Sequence, residues 1–422
     1  MRYLFAMMII LFVSCGMIFA LENANVNAGL PMAVPEEVGL SATRLERINP
    51  VMQGYVDDGK LAGLITVVAR RGRIVHFERF GMMDKESDKA MAPDTIFRIY
   101  SMTKPITSVA IMMLYEEGRF QLNDPVSKFI PEFKDLEVFV KETESGLELA
   151  ESKPEMAIWH LLTHTSGLSY GWDQNSPVDA MYRKAATLGG SKTLKDMIQK
   201  LGEIPLANQP GDAWRYSMST DVLGYLVEVI SGQPFDVFLK ERIFEPLGMV
   251  DTGFYVPEEK HHRFAAIYGP AEGGGIQIID PPVGREFEKP ATLFSGGGGL
   301  VSTAADYMRF AQMLLNKGEL DGKRLLGRKT VELMTMNHLP EGFHPMDLIA
   351  FGFGLGFGVA IDVASPRGLG SIGAFGWGGA AATNFWIDPE EGLIGLFMTQ
   401  LMNNPYPIHQ EFRVLVYQAI TE

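Results

Sequence analysis

An alcohol, an amine and a phenol in this chain have the spacing and context to run nucleophilic chemistry. Ser101 and Lys104 lie in Ser101-Met102-Thr103-Lys104, at the head of a strongly helical run from Ser101 to Arg119. Residues i and i+3 share one face of a helix, so hydroxyl and amine are expected to meet. A serine alcohol is a poor nucleophile at neutral pH, and a lysine amine takes its proton only where burial or a neighbouring cation lowers the amine's pKa. The helix N-terminus adds unpaired N–H groups and positive potential, suited to a developing oxyanion. The phenol is Tyr216, in Tyr216-Ser217-Met218, between the Pro210-Gly211 turn and a helix starting near Asp221. A phenol beside a lysine ionises more easily and can relay a proton. A third stretch, Gly376-Trp377-Gly378-Gly379-Ala380, supplies adjacent glycines whose N–H groups can approach a ligand without side-chain clash.

The surrounding elements must bring these stretches together. Ile106, Val109, Ala110, Met113 and Leu114 form an apolar stripe that buries the nucleophile helix and could desolvate Lys104. Ser41 to Tyr55 reads as an amphipathic helix capped by Ser41. Gly63 to Arg70 and Arg73 to Phe80 read as two strands around an Arg71-Gly72 turn. From about Asn123 to Tyr255 the pattern is helical with long polar loops, including a helix over Trp159 to Leu168 and one from Asp221 to Ser231. A glycine-rich segment, Ser295 to Val301, leads to a helix from about Thr303 to Asn316. Phe351 to Asp362 alternates Phe and Gly as a strand with a smooth face. Thr383 to Asp388 and Gly392 to Thr399 form a hairpin, and a closing helix runs from about Pro407 to Ile420. The expected fold is α/β, with an antiparallel sheet flanked by N- and C-terminal helices. A mainly helical region is inserted over about 123–290 of a domain spanning 29–422.

Some motifs mislead. Gly167-Leu168-Ser169-Tyr170-Gly171 matches the Gly-x-Ser-x-Gly nucleophile elbow, which needs a strand before its serine and a helix after it. Here the order fails on both sides, so Ser169 reads as a loop residue. His160 and His164 have the i, i+4 spacing of zinc ligands but no glutamate between them, and read as structural. The glycine runs at 273–275 and 296–299 lack the Lys-Ser/Thr of a phosphate loop. No cofactor or metal is expected.

With 46% hydrophobic and 21% charged residues, the 422-residue chain has material for a large core. Its formal net charge of −14 argues against nucleic acid as a partner. Residues 1–28 read as a secretory signal: Arg2, then an almost wholly apolar run from Tyr3 to Leu21, then small residues at Ala20, Ala24 and Ala28. An uncleaved anchor and lipoprotein processing at Cys15 are the alternatives. Cys15 is the only cysteine, so a chain cut beyond it has no disulfide and no thiol nucleophile. The expectation is an exported protein, periplasmic or extracellular, with no stable membrane span once the signal is removed.

From about Val38 to the C-terminus, the chain resembles the serine β-lactamase and penicillin-binding-protein superfamily, and most closely the class C β-lactamase-like carboxylesterases of family VIII. The resemblance rests on three ordered motifs: Ser101-x-x-Lys104, Tyr216-Ser217-Met218 and Trp377-Gly378-Gly379. Trp159 to Leu168 and Ser295 to Thr303 are also similar to tracts of these families. The resemblance implies Ser101 as the acylated nucleophile and Lys104 as its base. It implies that Tyr216 shares the base role and protonates the leaving alcohol, with the backbone N–H groups of Ser101 and Ala380 as the oxyanion hole. Two departures bear on substrate. Trp377 and Gly378 stand where β-lactamases and cell-wall peptidases carry a cation and a hydroxyl that grip the substrate carboxylate, and Met218 stands where many β-lactamases place an asparagine. A wall of Trp377, Gly378, Gly379 and Met218 suits a small neutral ester better than an anionic lactam. The expected function is hydrolysis of short-chain esters, with weak β-lactam hydrolysis as a side activity. The alternatives are a β-lactamase or D-alanyl-D-alanine peptidase, an amide hydrolase or acyltransferase on the same scaffold, and a sensor that acylates without turnover.

Overall fold

The computed structural model describes residues 29–282, 287, 289–365 and 368–422, so the secretory signal expected over 1–28 lies outside the described residues. One antiparallel sheet of eight strands organises the chain. Its order is Phe351–Phe353, Gly358–Ala360, Phe375–Gly378, Asn384–Asp388, Leu393–Thr399, Gly63–Arg70, Arg73–Asp84, Lys89–Ala90. Strands from the two ends of the sequence meet at its centre, where Val67 pairs with Leu396 on one side and Phe77 on the other. Gly63–Arg70 is buried along its whole length, as a central strand covered on both faces should be.

The two-residue alternation of the strands sorts the core into two layers. Leu64, Val68, Leu393 and Phe397 face the helices Ile48–Asp57 and Ile408–Tyr417, packing with Met52, Phe412 and Val416. Ile65, Val67, Ile394 and Leu396 face the opposite way, into a larger cluster built on the helix Thr103–Glu116. That helix is buried from Thr103 through Leu114, on every face rather than along one stripe. It is covered by Ser219–Ser231 and Phe235–Leu239.

Three expected elements differ, each for a local reason. The helix over Ser41 to Tyr55 is two helices, Ala42–Leu45 and Ile48–Asp57. Pro50 cannot donate to the carbonyl of residue 46, and it is tolerated only in a new first turn. Ser41 does cap the first, accepting the Arg44 N–H. The helix over Trp159 to Leu168 stops at Leu162, and His164 takes a left-handed φ of 57°. Thr163 turns its hydroxyl back to the Trp159 carbonyl, the local competition that weakens helix ends rich in Ser and Thr. The Phe-Gly strand over Phe351 to Asp362 is a hairpin of Phe351–Phe353 and Gly358–Ala360, its turn closed by the Gly354 N–H on the Phe357 carbonyl at 2.8 Å. A further hairpin, Glu137–Thr143 with Gly146–Glu151, lies in the stretch read as helical. Its strands are mostly solvated, so no clean apolar alternation marks them.

His76 on the second central strand is buried and shares a 2.8 Å hydrogen bond with Thr66. Burial lowers its pKa from 6.5 to about 4. A base with a depressed folded pKa contributes stability that is present above 6.5 and is lost as pH falls toward 4, because the unfolded chain takes the proton first. The full loss is about 3 kcal/mol. His76→Gln, which keeps a neutral partner for Thr66, should flatten the fall of thermal midpoint between pH 6.5 and 4. Parallel slopes for the two proteins would contradict this.

Candidate active site

Local sequence sets the nucleophile's position. The strand Phe97–Arg98 pairs with Val301–Ser302, and Gln400 holds both backbone groups of Arg98 at 2.9 and 3.0 Å. Tyr100 then takes a positive φ of 42°, which turns the chain into a single 3-10 turn, Tyr100–Met102, ahead of the helix. Such strain persists only where surroundings over-determine it. Here the Ile99 N–H bonds the Leu300 carbonyl at 3.1 Å, and the Tyr307 hydroxyl bonds the Met102 carbonyl at 2.9 Å.

On this turn the Lys104 Nζ lies 3.2 Å from the Ser101 Oγ. Lys104 is 1% exposed, and its second partner is the Gly297 carbonyl at 2.6 Å. Its ammonium also sits 4.5 Å from the centroid of the Tyr216 ring and 5.2 Å from that of Tyr170. Cation–π contacts of this kind are worth about 0.5–2 kcal/mol each, less than the several kcal/mol that burying an ion costs. A buried carboxylate also acts on Lys104. Asp221, on the first turn of Ser219–Ser231, is wholly buried and accepts the Ser295 hydroxyl at 2.5 Å and the Gly297 N–H at 3.0 Å. Burial pushes its pKa up, against the pull of Lys104.

The glycine-rich segment has its explanation here. It threads between the helices Thr103–Glu116 and Ser219–Ser231, where a Cβ on residue 296 would stand 2.6 Å from the Thr220 carbonyl oxygen and 3.1 Å from a Thr107 methyl. Only a backbone without side chains fits, and it delivers the Gly297 carbonyl to Lys104.

The third segment ends the strand Phe375–Gly378 against the nucleophile turn. A Cβ on residue 379 would lie 2.5 Å from the Ile99 carbonyl oxygen. The N–H groups of Ser101 and Ala380 have no hydrogen-bond partner among the described residues, and Ala380 is exposed. Trp377 is half-buried, and its Nε1–H donates to the Tyr216 hydroxyl oxygen at 3.1 Å. Its ring meets Phe353 edge-on at 5.2 Å. Gly378 and Gly379 are half-buried beside it. Met218 belongs elsewhere: it is wholly buried in the core and presents no surface to a substrate, so its expected place on the binding wall is corrected. Its position just before a buried helix sends the side chain inward.

Several residues that the sequence did not single out as site residues surround these groups. Tyr170, Trp172 and Trp214 add rings to the wall made by Tyr216, Phe353 and Trp377. His164 clamps Tyr216 from both flanks: its carbonyl accepts the Arg215 N–H at 2.8 Å, and its Nδ1 hydrogen-bonds the Ser217 Oγ at 3.2 Å. Its ring lies 4.9 Å from that of Tyr216. Burial, then the charge of Lys104, holds His164 well below the usual histidine pKa and keeps it neutral. The only signal in the sequence was its place in the tract Trp159 to Leu168. The helix ends between His160 and His164, so the two do not share a helical face; His160 instead accepts the Ala157 N–H at 2.9 Å. Ser169 is buried in a loop, its hydroxyl accepting the Gly171 N–H at 3.3 Å.

A buried amine on an alcohol, a phenol over the amine and a glycine-lined strand end packed against the turn that carries the alcohol are the parts an acyl-transferring serine enzyme needs. The family described as Beta-lactamase matches residues 48–418, and the chain belongs to that family. It is a serine hydrolase of the β-lactamase-like superfamily, whose members here include esterases and acyltransferases. Protein Rv1367c of Mycobacterium tuberculosis is 35% identical over 82% of this chain and 87% of that protein. Esterase EstB of Burkholderia gladioli is 30% identical over 86% of this chain and 93% of that protein. Among solved structures, EstCE1, described as a hydrolase with promiscuous acyltransferase activity, superposes with a TM-score of 0.75 at 26% identity, covering 90% of this chain and 99% of that one.

If the clamp on Tyr216 matters, His164→Ala should lower kcat about tenfold or more with a smaller change in KM, since misplacing a reacting group by an ångström costs up to about a hundredfold. His164→Asn, which can keep the bond to Ser217, should recover part of the loss. Equal kcat in His164→Ala and wild type would refute the clamp.

Proposed function

We propose that the chain hydrolyses short-chain carboxylic esters through an acyl-enzyme on Ser101. The Lys104–Tyr216 pair, starting one proton short of ammonium plus phenol, takes the single Ser101 proton as the serine oxygen attacks the ester carbonyl carbon. The carbonyl oxygen becomes an oxyanion held by the N–H groups of Ser101 and Ala380. The intermediate collapses by breaking the bond to the alcohol oxygen, which leaves with a proton returned from Tyr216. Water then attacks the acyl-enzyme by the same steps, releasing the acid and restoring the serine. The observation that carries the reading is the 3.2 Å approach of the Lys104 amine to the Ser101 hydroxyl, with the Tyr216 ring 4.5 Å from that amine.

The choice of a neutral ester rests on Trp377. Its one polar edge is engaged with Tyr216, and it places no cation at the wall where related lactam-binding enzymes grip a carboxylate. Similarity to esterase EstB and to lovastatin esterase of Penicillium rubens supports the same reading. Transfer of the acyl group to an alcohol other than water is a second outcome of the same intermediate. It is favoured by the aromatic wall and by relatives described as acyltransferases, among them calJ of Penicillium decumbens. Export by a signal over residues 1–28 belongs to the proposal and rests on the apolar run alone.

Ser101→Ala should reduce turnover of p-nitrophenyl butyrate by at least about a thousandfold. Ser169→Ala should keep most of it, and the reverse pattern would move the nucleophile to Ser169. In wild type, kcat/KM for p-nitrophenyl butyrate should exceed that for nitrocefin by about a hundredfold or more. A nitrocefin rate equal to or above the ester rate would defeat the argument from Trp377.

A further inference from the structure

The loop that imitates a nucleophile elbow ends in Trp172, which leaves 65% of its surface exposed. A single exposed apolar residue needs no explanation in itself. This one is held rigidly. Gly171 takes a φ of 80°, and a Cβ there would lie 2.8 Å from the Cβ of Tyr182. The Arg183 guanidinium donates to the carbonyls on both sides of Trp172, to Gly171 at 2.7 Å and to Asp173 at 2.9 Å. The Asp173 N–H donates to the Asp179 carboxylate at 2.8 Å, and Asp179 is itself 1% exposed. The indole therefore has a fixed address on a pinned loop. One face stacks on Tyr170 at 4.5 Å and 12°, leaving the other open.

Its place relative to the chemistry follows from Tyr216. The Trp172 and Tyr170 rings lie 5.9 and 5.4 Å from the Tyr216 ring and reach it from the loop that follows Gly167, whereas Ala380 follows the strand Phe375–Gly378. On the proposed mechanism Tyr216 protonates the departing oxygen, so whatever is bonded to that oxygen extends toward Trp172. We propose that Trp172 is a preorganised stacking platform for a planar ring on the alcohol side of the substrate, making esters of aromatic alcohols the favoured class. This rests on the esterase reading and adds a substrate class to it. A rigid ring offers contact area without ordering cost, and offset stacking adds to plain apolar burial.

The test compares benzyl acetate with cyclohexylmethyl acetate, which share an acyl group and differ in the planarity of the ring. Benzyl should lose about tenfold more kcat/KM than cyclohexylmethyl in Trp172→Ala, and a similar excess should appear in Trp172→Leu, which keeps apolar bulk without a flat face. Thermal midpoints of both variants check that the loop stays folded. Ethyl benzoate and ethyl cyclohexanecarboxylate, which carry the ring on the acyl side, should lose to the same extent as each other. Equal losses for the two acetates, or a planar-ring preference that follows the acyl side, would overturn the platform while leaving the esterase reading intact. Hydrolysis of none of these esters by wild type would remove both.

Discussion

One buried ammonium organises this active site. Lys104 must lie within reach of the Ser101 hydroxyl yet away from bulk water, and an ion taken out of water is stable only with close partners. The Gly297 carbonyl is the nearest, at 2.6 Å. That contact requires a strip of backbone to pass between two packed helices, which in turn requires glycine at the crossing. Asp221 then secures the strip from behind through the Gly297 N–H and the Ser295 hydroxyl. The glycine-rich segment, the buried carboxylate and the helix pair are consequences of housing one charge.

The aromatic shell is the second consequence. Tyr216 and Tyr170 lie over the ammonium, and Trp377, Trp214, Phe353 and Trp172 extend the wall outward from them. Such rings exclude water while offering negative faces to a cation, so they strengthen the electrostatics inside without adding a competing ion. Neutral His164 fits the same logic. It holds both neighbours of Tyr216 and, uncharged, does not repel Lys104.

Much of the scaffold was legible because its signals are local. Two strands around Arg71-Gly72, the hairpin around Pro389-Glu390-Glu391 and the helix capped by Thr303 lie where turn and cap residues put them. Misreadings came where a short-range device overrode periodicity. Pro50 divides a helix, Thr163 and His164 end one early, and a tight turn folds the Phe-Gly run back on itself. Met218 is instructive in another way. Its neighbours in the motif reach the site, but it precedes a buried helix and faces the core. A motif's order along the chain does not fix which way each side chain points.

The sequence by itself determined the candidate reacting groups: an alcohol and an amine one helical turn apart, a phenol in a loop and a bare-backbone segment after a strand. Those follow from residue type and spacing, which act over a few residues. Only the tertiary structure decided the partners of each. The Gly297 carbonyl under Lys104, the Trp377 indole on Tyr216, the His164 clamp and the exposed face of Trp172 join positions far apart in the chain. Such contacts are selected by the packing of the whole core, and no local pattern encodes them.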